Sequence, residues 1–498
     1  MKMLSIRRTK TASKATAIQI VRYENRKVVV VKHIGSAHTS SEVIALEQSA
    51  EAWKAEYIKQ SSLFPKAEAR VISLATAQYE KSLYLLTREV LLKIAEKCGF
   101  CTVCNSVFLD LVVMRIVEPA SKLRSIMLLN EYFGISYSRD TVYRSLPIIA
   151  KQKSAVENIA VSFAKNELGT DLSLVLYDVT TLYFETFESD ELRVPGFSKD
   201  NKSQQPQIVI GLLVTQAGFP LGYEIFKGNT FEGKTMLPVV KTFMETHGVT
   251  TPIIVADAAM ISRENVAKLN DGGFSYIVGA RIANCSQDMI THISSTLKQE
   301  DGASMRCITK QGDLICAFSK KRYRKDLAEM EKQIEKAKKL IEKGEPGKRA
   351  KFVKHNANKA YVFDEGLLAK AKALLGIKGY YTNIPIDKMS NDEVITRYRD
   401  LWHVEAAFRM SKNDLATRPI FHYKEESIKA HMVICFVALA IGKYLEIQTG
   451  LSLRKVIDTC WTVTDAHISD TVTGEQFILR SKIGTEVRTI LKKLGLSY

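Results

Sequence analysis

Apolar and polar positions divide this chain into zones of different period. The first sixty residues hold two β-like runs, AIQIVRY and KVVVVKHIG, joined by the turn-like ENR and followed by a helical stretch. From about Leu83 to Phe163 apolar residues recur three and four apart, as on amphipathic helices, with a break and a new helix start at Pro119 and Ser121. Within that zone SKLRSIMLLNEYFGISYSRDTVYRSLPII reads as helix, short turn, helix, with Gly134 at the turn and Ser138 capping the second helix. From Leu172 the period changes again. LSLVLYDVTTLYF, QIVIGLLVTQAG and FPLGYEIFKGN are dense β-branched and aromatic runs, with Gly218 and Pro220 in the second turn, and predict an antiparallel meander. A helix over Lys234 to Thr246, a strand in TPIIVADAA, a helix over Ser262 to Asn270 and a strand in FSYIVGA follow.

Three strands, helix, strand, helix, strand is the order of a ribonuclease-H-like α/β core. The periodicity then lapses. Residues 281 to about 375 carry short β-like pieces, SMRCITK and DLICAFSK, and a very charged stretch from Lys320 to Lys354. A gap of roughly a hundred residues is too long for a loop and predicts a β-rich inserted subdomain. Strand signals resume at KGYYTNIP, a helix is predicted from about Asn391 to Lys412, and a mostly helical tail ends the chain. The predicted division is a β-containing unit over 1–75, a helical region over 76–168, the core in two parts over 169–280 and 376–440, the insertion over 281–375, and the tail over 441–498.

Asp178 follows LSLVLY, and Asp257 follows IIVA, each at the expected end of a buried strand. A carboxylate there is costly unless solvated, paired or bound to a cation. Two such acids on neighbouring strands repel and invite a divalent ion, and Mg²⁺ needs only two or three carboxylates because it keeps several waters. Glu405 lies in RYRDLWHVEAAFRMSKNDL. A continuous helix there would set Tyr398, Leu401, Trp402, Glu405, Phe408, Arg409 and Lys412 on one broad face, an acid among aromatics and cations. Taken singly, each acid also fits a turn, a cap or a surface ion pair; the combination and order carry the reading.

YDVTTLYFET, VADAAMIS and YRDLWHVEAAFRMSKNDLATRPIFH resemble DDE-class transposases of bacterial insertion sequences, in particular the insertion-sequence-four-like group, which has a strand-rich insertion between its second Asp and its Glu. The separations fit that layout, 79 residues from Asp178 to Asp257 and 148 from Asp257 to Glu405. The resemblance covers about 170–440 well and the N-terminal part more loosely. It implies that Asp178, Asp257 and Glu405 hold two Mg²⁺ or Mn²⁺ ions, and that the chain cuts transposon ends and joins them to target DNA as a dimer. The group's Tyr–Arg–Glu–Lys signature is matched by Tyr398, Glu405 and Lys412, but Leu401 stands at the Arg position. Arg399 or Arg409 could supply that cation, and such residues hold the phosphate of the transposon end in the family. A nuclease that cuts without joining, or a non-catalytic DNA-binding relic, remains open as an alternative.

Charge agrees with a polyanionic partner: 71 Lys and Arg against 54 Asp and Glu leave a formal +17 and a pI near 9.3. The predicted helix pair resembles a helix-turn-helix DNA reader presenting Arg139, Tyr143 and Arg144; an ordinary αα-hairpin with surface arginines has the same pattern. The Lys320–Lys354 stretch is read either as a solvated charged helix or as an arm tracking phosphates. The longest apolar run, Met432–Gly442, has 11 residues, short of the about 20 that span a bilayer, and predicts a buried helix. Eight cysteines without framework spacing suggest reduced thiols in a cytoplasmic protein, and the resemblance to insertion-sequence transposases implies a bacterial, nucleoid-associated one. Cys98, Cys101 and Cys104 have CxxCxxC spacing but no fourth ligand nearby, which weighs against a structural zinc.

Overall fold

The computed structural model describes residues 4–24, 27–60, 74–198, 202, 204–249, 252–260, 263–310, 312–343, 350–355 and 361–497. They form two compact units, Met1–Gln78 with Asp470–Glu475, and Tyr79–Ser469 with Gln476–Tyr498. In the first, β1 (Leu4–Lys10), β2 (Thr16–Glu24) and β3 (Lys27–Ala37) make an antiparallel meander, and α1 (Ser40–Gln60) packs on it. Alternation in β2 sends Ile18 and Ile20 to one face, where they bury against Ala50, Leu46 and Trp53.

The second unit begins at Tyr79, within β4 (Ala77–Leu83), and continues with the helices α2 (Leu85–Lys97), α3 (Ser106–Val117), α4 (Lys122–Phe133), α5 (Arg139–Ala150) and α6 (Lys153–Asn166). Side-chain caps start three of them: Asn105, Ser121 and Ser138 accept from the amides of Phe108, Arg124 and Thr141. Gly134 ends α4 at φ 71°, in the left-handed region that glycine occupies without strain. The expected helix–turn–helix is therefore α4–α5.

The sheet follows. β5 (Leu174–Tyr183), β6 (Gln207–Val214) and β7 (Pro220–Lys227) form the meander, and α7 (Met236–His247) leads to β8 (Ile253–Ala256). Then α8 (Arg263–Asp271) leads to β9 (Ser275–Ala280). The strand order is β7–β6–β5–β8–β9 with β5, β8 and β9 parallel, the ribonuclease-H-like arrangement the sequence predicts.

Residues 281–375, where a β-rich inserted subdomain is expected, mix helices with strands. They comprise α9 (Gln287–Thr296), β10 (Ser304–Thr309), β11 (Gly312–Phe318), the long α10 (Lys320–Lys343), β12 (Val353–His355), β13 (Tyr361–Phe363) and α11 (Glu365–Ala373). β14 (Ile377–Thr382) inserts between β9 and β11, so β10 and β11 extend the core sheet to eight strands; only β12–β13 stands apart. β14 satisfies the backbone hydrogen bonds that β9 offers on its open side, and β11 of the insertion satisfies those of β14. α10 is amphipathic: Met330, Ala337 and Leu340 are buried while its lysines and glutamates face outward.

The predicted single helix from Asn391 to Lys412 is broken. α12 (Asn391–Arg399), started by a capping box of Ser390 and Glu393, ends at Asp400, whose carboxylate accepts from Gln216 Nε2 at 2.8 Å. α13 (Trp402–Arg409) then sets off anew and runs into a π-helical segment, Met410–Asp414. The break lets α12 pack on β8, β9 and β14 while α13 packs on β5 and β6. The broad face expected of one helix consequently splits: Tyr398, Leu401 and Phe408 are buried, whereas Trp402, Glu405 and Arg409 are exposed.

α14 (Glu425–Thr449) is long and apolar enough to cross a membrane, yet 89% of its apolar window is buried inside this unit, where it packs against α3, α5 and α6. The tail is not simply helical. Between α15 (Leu453–Cys460) and α16 (Thr485–Lys493) lie β15 (Asp465–Asp470) and β16 (Gln476–Arg480), which make a three-stranded sheet with β4.

Candidate active site

Asp178 is not at the end of its strand, as the sequence suggests, but its fifth residue of ten. The strand beside it ends there. β5 and β8 pair in parallel from Leu174↔Ile253 to Tyr177↔Ala256, so the next position of the register juxtaposes Asp178 with Asp257 as β8 gives way to a turn. Past that point β5 pairs only with β6, as far as Tyr183↔Gln207. Tyr177 and Val179 are fully buried on the opposite face, which leaves Asp178 half-buried among otherwise apolar neighbours. Tyr177 is pinned by a 2.8 Å hydrogen bond from its hydroxyl to Thr235 Oγ1, and a Cβ on Gly211 of β6 would collide with its ring.

Asp257 is exposed, and its Oδ1 accepts from the Ala258 amide at 2.7 Å and from the Tyr398 hydroxyl at 3.1 Å. Tyr398 reaches it because residue 279, behind the hydroxyl, is glycine; a Cβ there would occupy the same space. Burial, then the Asp257 charge and hydrogen bond, then Tyr380 and Glu405, raise the Tyr398 pKa far above its ordinary value, so the phenol stays a proton donor. Replacing Tyr398 with Phe removes one donor to a charged acceptor, an interaction of about 1.5–3 kcal/mol. The expected outcome is a roughly tenfold to hundredfold fall in cleavage rate with a near-normal melting temperature, measured by single-turnover kinetics beside thermal unfolding.

Glu405 is exposed on α13, against β5 and β6. Its charge and that of Asp257 are felt by the same two side chains, Tyr398 and Lys378. Lys378, on β14, was not singled out by sequence because KGYYTNIP shows only a strand; pairing of β14 with β9 brings it to the acids. Its ammonium lies 4.4 Å above the Tyr398 ring. Burial and then Arg322 lower its pKa, while Asp257 and Glu405 draw it back up. A partly desolvated cation therefore feels the charge of both acids.

Among the described residues no three His, Cys, Asp or Glu side chains stand close enough together to hold a metal ion. Asp178 and Asp257 nonetheless share a register position, and Asp257 and Glu405 share Lys378. This hard-oxygen set, partly solvated and with a lysine as local counter-charge, fits Mg²⁺ or Mn²⁺ in its donor chemistry.

A cleft of about 600 Å³ opens from Asp257 and Tyr398 toward the insertion, lined with Arg281, Arg322, Lys351, Lys370 and Lys378. α10 contributes Arg322 to this basic wall; Asp326 and Glu329 of the same helix line it too, and Asp326 is paired with Arg322 at 3.2 Å. Of the remaining sequence candidates, Arg399 and Arg409 are exposed on α12 and α13, and Lys412 is half-buried in the π-helical segment. Arg139 and Arg144 lie far along the chain on the exposed side of α5, with Arg139 5.5 Å over Tyr143 and Arg144 3.6 Å from Asp140. Cys98 and Cys104 are buried and their thiols pushed up to about 12 by that burial, Cys101 is exposed, and the three hold no metal-ligating arrangement.

The family model described as "Transposase DDE domain" matches residues 169–441, more than half of the chain, from β5 to the middle of α14. No curated protein matches it. Solved structures similar to it include the piggyBac transposase in a synaptic complex with hairpin DNA, at 9% identity over 79% of this chain and 82% of that one, with a TM-score of 0.37. Another is the Mos1 transposase in a paired-end complex with the left transposon end, at 10% identity over 46% of this chain and 66% of that one, with a TM-score of 0.16. The matched span holds the whole ribonuclease-H-like order of strands, both aspartates and Glu405, and the chain belongs to the transposase DDE domain family.

Proposed function

We propose that this transposase binds the terminal inverted repeats of an insertion sequence of the insertion-sequence-four-like group and moves it by cut-and-paste, using divalent ions held by Asp178, Asp257 and Glu405. The observation that carries the reading is that Asp257 and Glu405 both act on Lys378 and Tyr398, with Asp257 at the register position of Asp178. Two ions of Mg²⁺ or Mn²⁺ would supply a more acidic attacking water and neutralise charge on the leaving 3′-oxygen. The chain's own groups position. Tyr398 donates to Asp257 and fixes that carboxylate, and Lys378 offsets the acids' charge. Arg409 shares α13 with Glu405, and Arg399 on α12 and Lys412 in the π-helical segment flank that helix, suited to phosphates of the end being cut. Water opens the phosphodiester and leaves a 3′-hydroxyl; that hydroxyl then attacks a target phosphodiester, expelling its 3′-oxygen. No covalent enzyme intermediate is required.

The basic cleft suits a DNA strand, and Arg139 and Arg144 on α5 suit a contact with flanking duplex. A homodimer pairing the two ends, at work in a bacterial cytoplasm and nucleoid, completes the proposal. The test is cleavage of DNA carrying the element's own ends. The expected result is cutting at the end and joining to a target with Mg²⁺ or Mn²⁺, with EDTA abolishing both and leaving DNA binding intact. Cutting without joining would instead indicate a nuclease, and binding without cutting under any metal would indicate a DNA-binding relic.

A further inference from the structure

Away from the carboxylates, the turn between α3 and α4 and the segment Ala416–His422 enclose a cavity of about 300 Å³. Its walls carry Arg115, Lys122, Arg418, His422 and His431, and among the described residues no Asp or Glu lines it. Lys122, the first residue of α4, is 3% exposed, and among the described residues it has no hydrogen-bond or ion-pair partner. A buried, unpaired lysine is strongly disfavoured by itself. Arg115 is held in place by the carbonyls of Ala120 at 3.0 Å and of Leu415 and Ala416 at 3.4 Å each, and these neutral acceptors leave its charge uncompensated. His431 is engaged with the Thr417 carbonyl at 3.0 Å. The twelve-residue α4 also aims its N-terminus, capped by Ser121, toward the same place, where its free amides favour an anion.

We propose that this cavity is a phosphate-binding site, taking a phosphate monoester or inorganic phosphate against Lys122, Arg115 and Arg418. Its volume equals roughly ten waters, enough for a phosphate and a few solvent molecules but not for a large ligand. A bound anion would supply the counter-charge that Lys122 and Arg115 lack among the described residues. Burial, then Arg115, push the Lys122 pKa down to about 7, with Cys435 opposing, so an arriving anion finds the lysine able to take up its proton near neutral pH. Burial, then Lys122 and Arg115, lower His422 to about 4, a second sign of unbalanced positive charge. The loop is tied to the strand of Asp178: the Ile420 amide donates to the Tyr183 carbonyl at 3.1 Å, and Arg418 lies 5.7 Å over the Tyr183 ring.

The experiment uses the full chain in EDTA, so that its failure is separable from failure of the metal-dependent reading. Thermal unfolding is followed with inorganic phosphate against chloride at equal ionic strength, for wild type and Lys122→Met. Phosphate is expected to raise the wild-type midpoint and leave that of the variant unchanged. The variant itself is expected to melt higher than wild type without phosphate, because an unpaired buried charge is gone. No response of the wild type, or equal responses of the two proteins, overturns the proposal. Should Lys122→Met not fold, Arg418→Gln replaces it, with a roughly tenfold or greater loss of phosphate affinity expected and unchanged affinity counting against the site. A short DNA strand with a terminal phosphate, compared with its hydroxyl twin, identifies the source. Tighter binding of the phosphorylated strand by wild type alone assigns the site to a DNA end, and equal binding beside a retained phosphate response assigns it to the free anion.

Discussion

Alanine at Asp257 or Glu405 is expected to cut the rate of DNA-end cleavage by at least about a thousandfold, roughly 4 kcal/mol of transition-state stabilisation, while binding of the same DNA stays within a few-fold of wild type. Both acids are exposed, so neither substitution opens a cavity, and the fold should be unaffected. Two further effects sharpen the expectation. Without Asp257 the Tyr398 hydroxyl loses its acceptor at 3.1 Å, and without either acid Lys378 loses a favourable partner, so the site becomes more positive. Binding of a polyanion should therefore be retained or slightly strengthened, as gel-shift titration at fixed salt would show. Loss of binding in parallel with cleavage would mean that the acids serve the fold instead, and would remove the case for metal ligation. Asp178→Ala is a less clean test because its carboxylate is half-buried within β5.

The aspartates could be found in the sequence because each interrupts a run that is otherwise apolar, and a charge at such a point demands a reason. What the sequence misplaced was the strand end. LVLYDVTTLY is one continuous strand, and the opening at Asp178 is created by its neighbour β8, four residues long, running out. Neighbours belong to tertiary structure and leave no mark on local pattern. The same cause hid Lys378, which becomes part of the site only when β14 pairs with β9, and hid the annexation of β10 and β11 by the core sheet. The break at Asp400 was masked because the residues on both sides favour helix; its cause is the need of α12 and α13 to pack on different strands. Where a local signal did suffice, as with the caps Ser121 and Ser138 and the left-handed Gly134, the side-chain chemistry that ends a helix is itself local.

The C-terminal tail shows the same limit and gives the largest stability effect expected here. β15 reads DAHISD, too mixed to suggest a strand, yet its first residue is essentially inaccessible to solvent. The Asp465 carboxylate accepts from the Leu85 amide at the start of α2 at 3.0 Å and from Arg480 Nε at 2.7 Å. The rest of the Arg480 guanidinium forms a two-pronged pair with Glu89 at 2.7 and 2.9 Å, so one side chain on β16 fastens the tail to a helix almost four hundred residues earlier. Arg480→Ala leaves Asp465 buried with a single donor, and breaking a buried pair from one side costs about 3–5 kcal/mol. Arg480 itself is partly exposed, so water entering the gap should hold the loss near the lower figure, still a large fraction of the stability of most domains. Denaturant unfolding of Arg480→Ala should show that loss, and the double variant Arg480→Ala with Asp465→Asn should recover part of it because no buried charge remains. Full stability in the single variant would show that the β15–β16 hairpin does not contribute to holding α2.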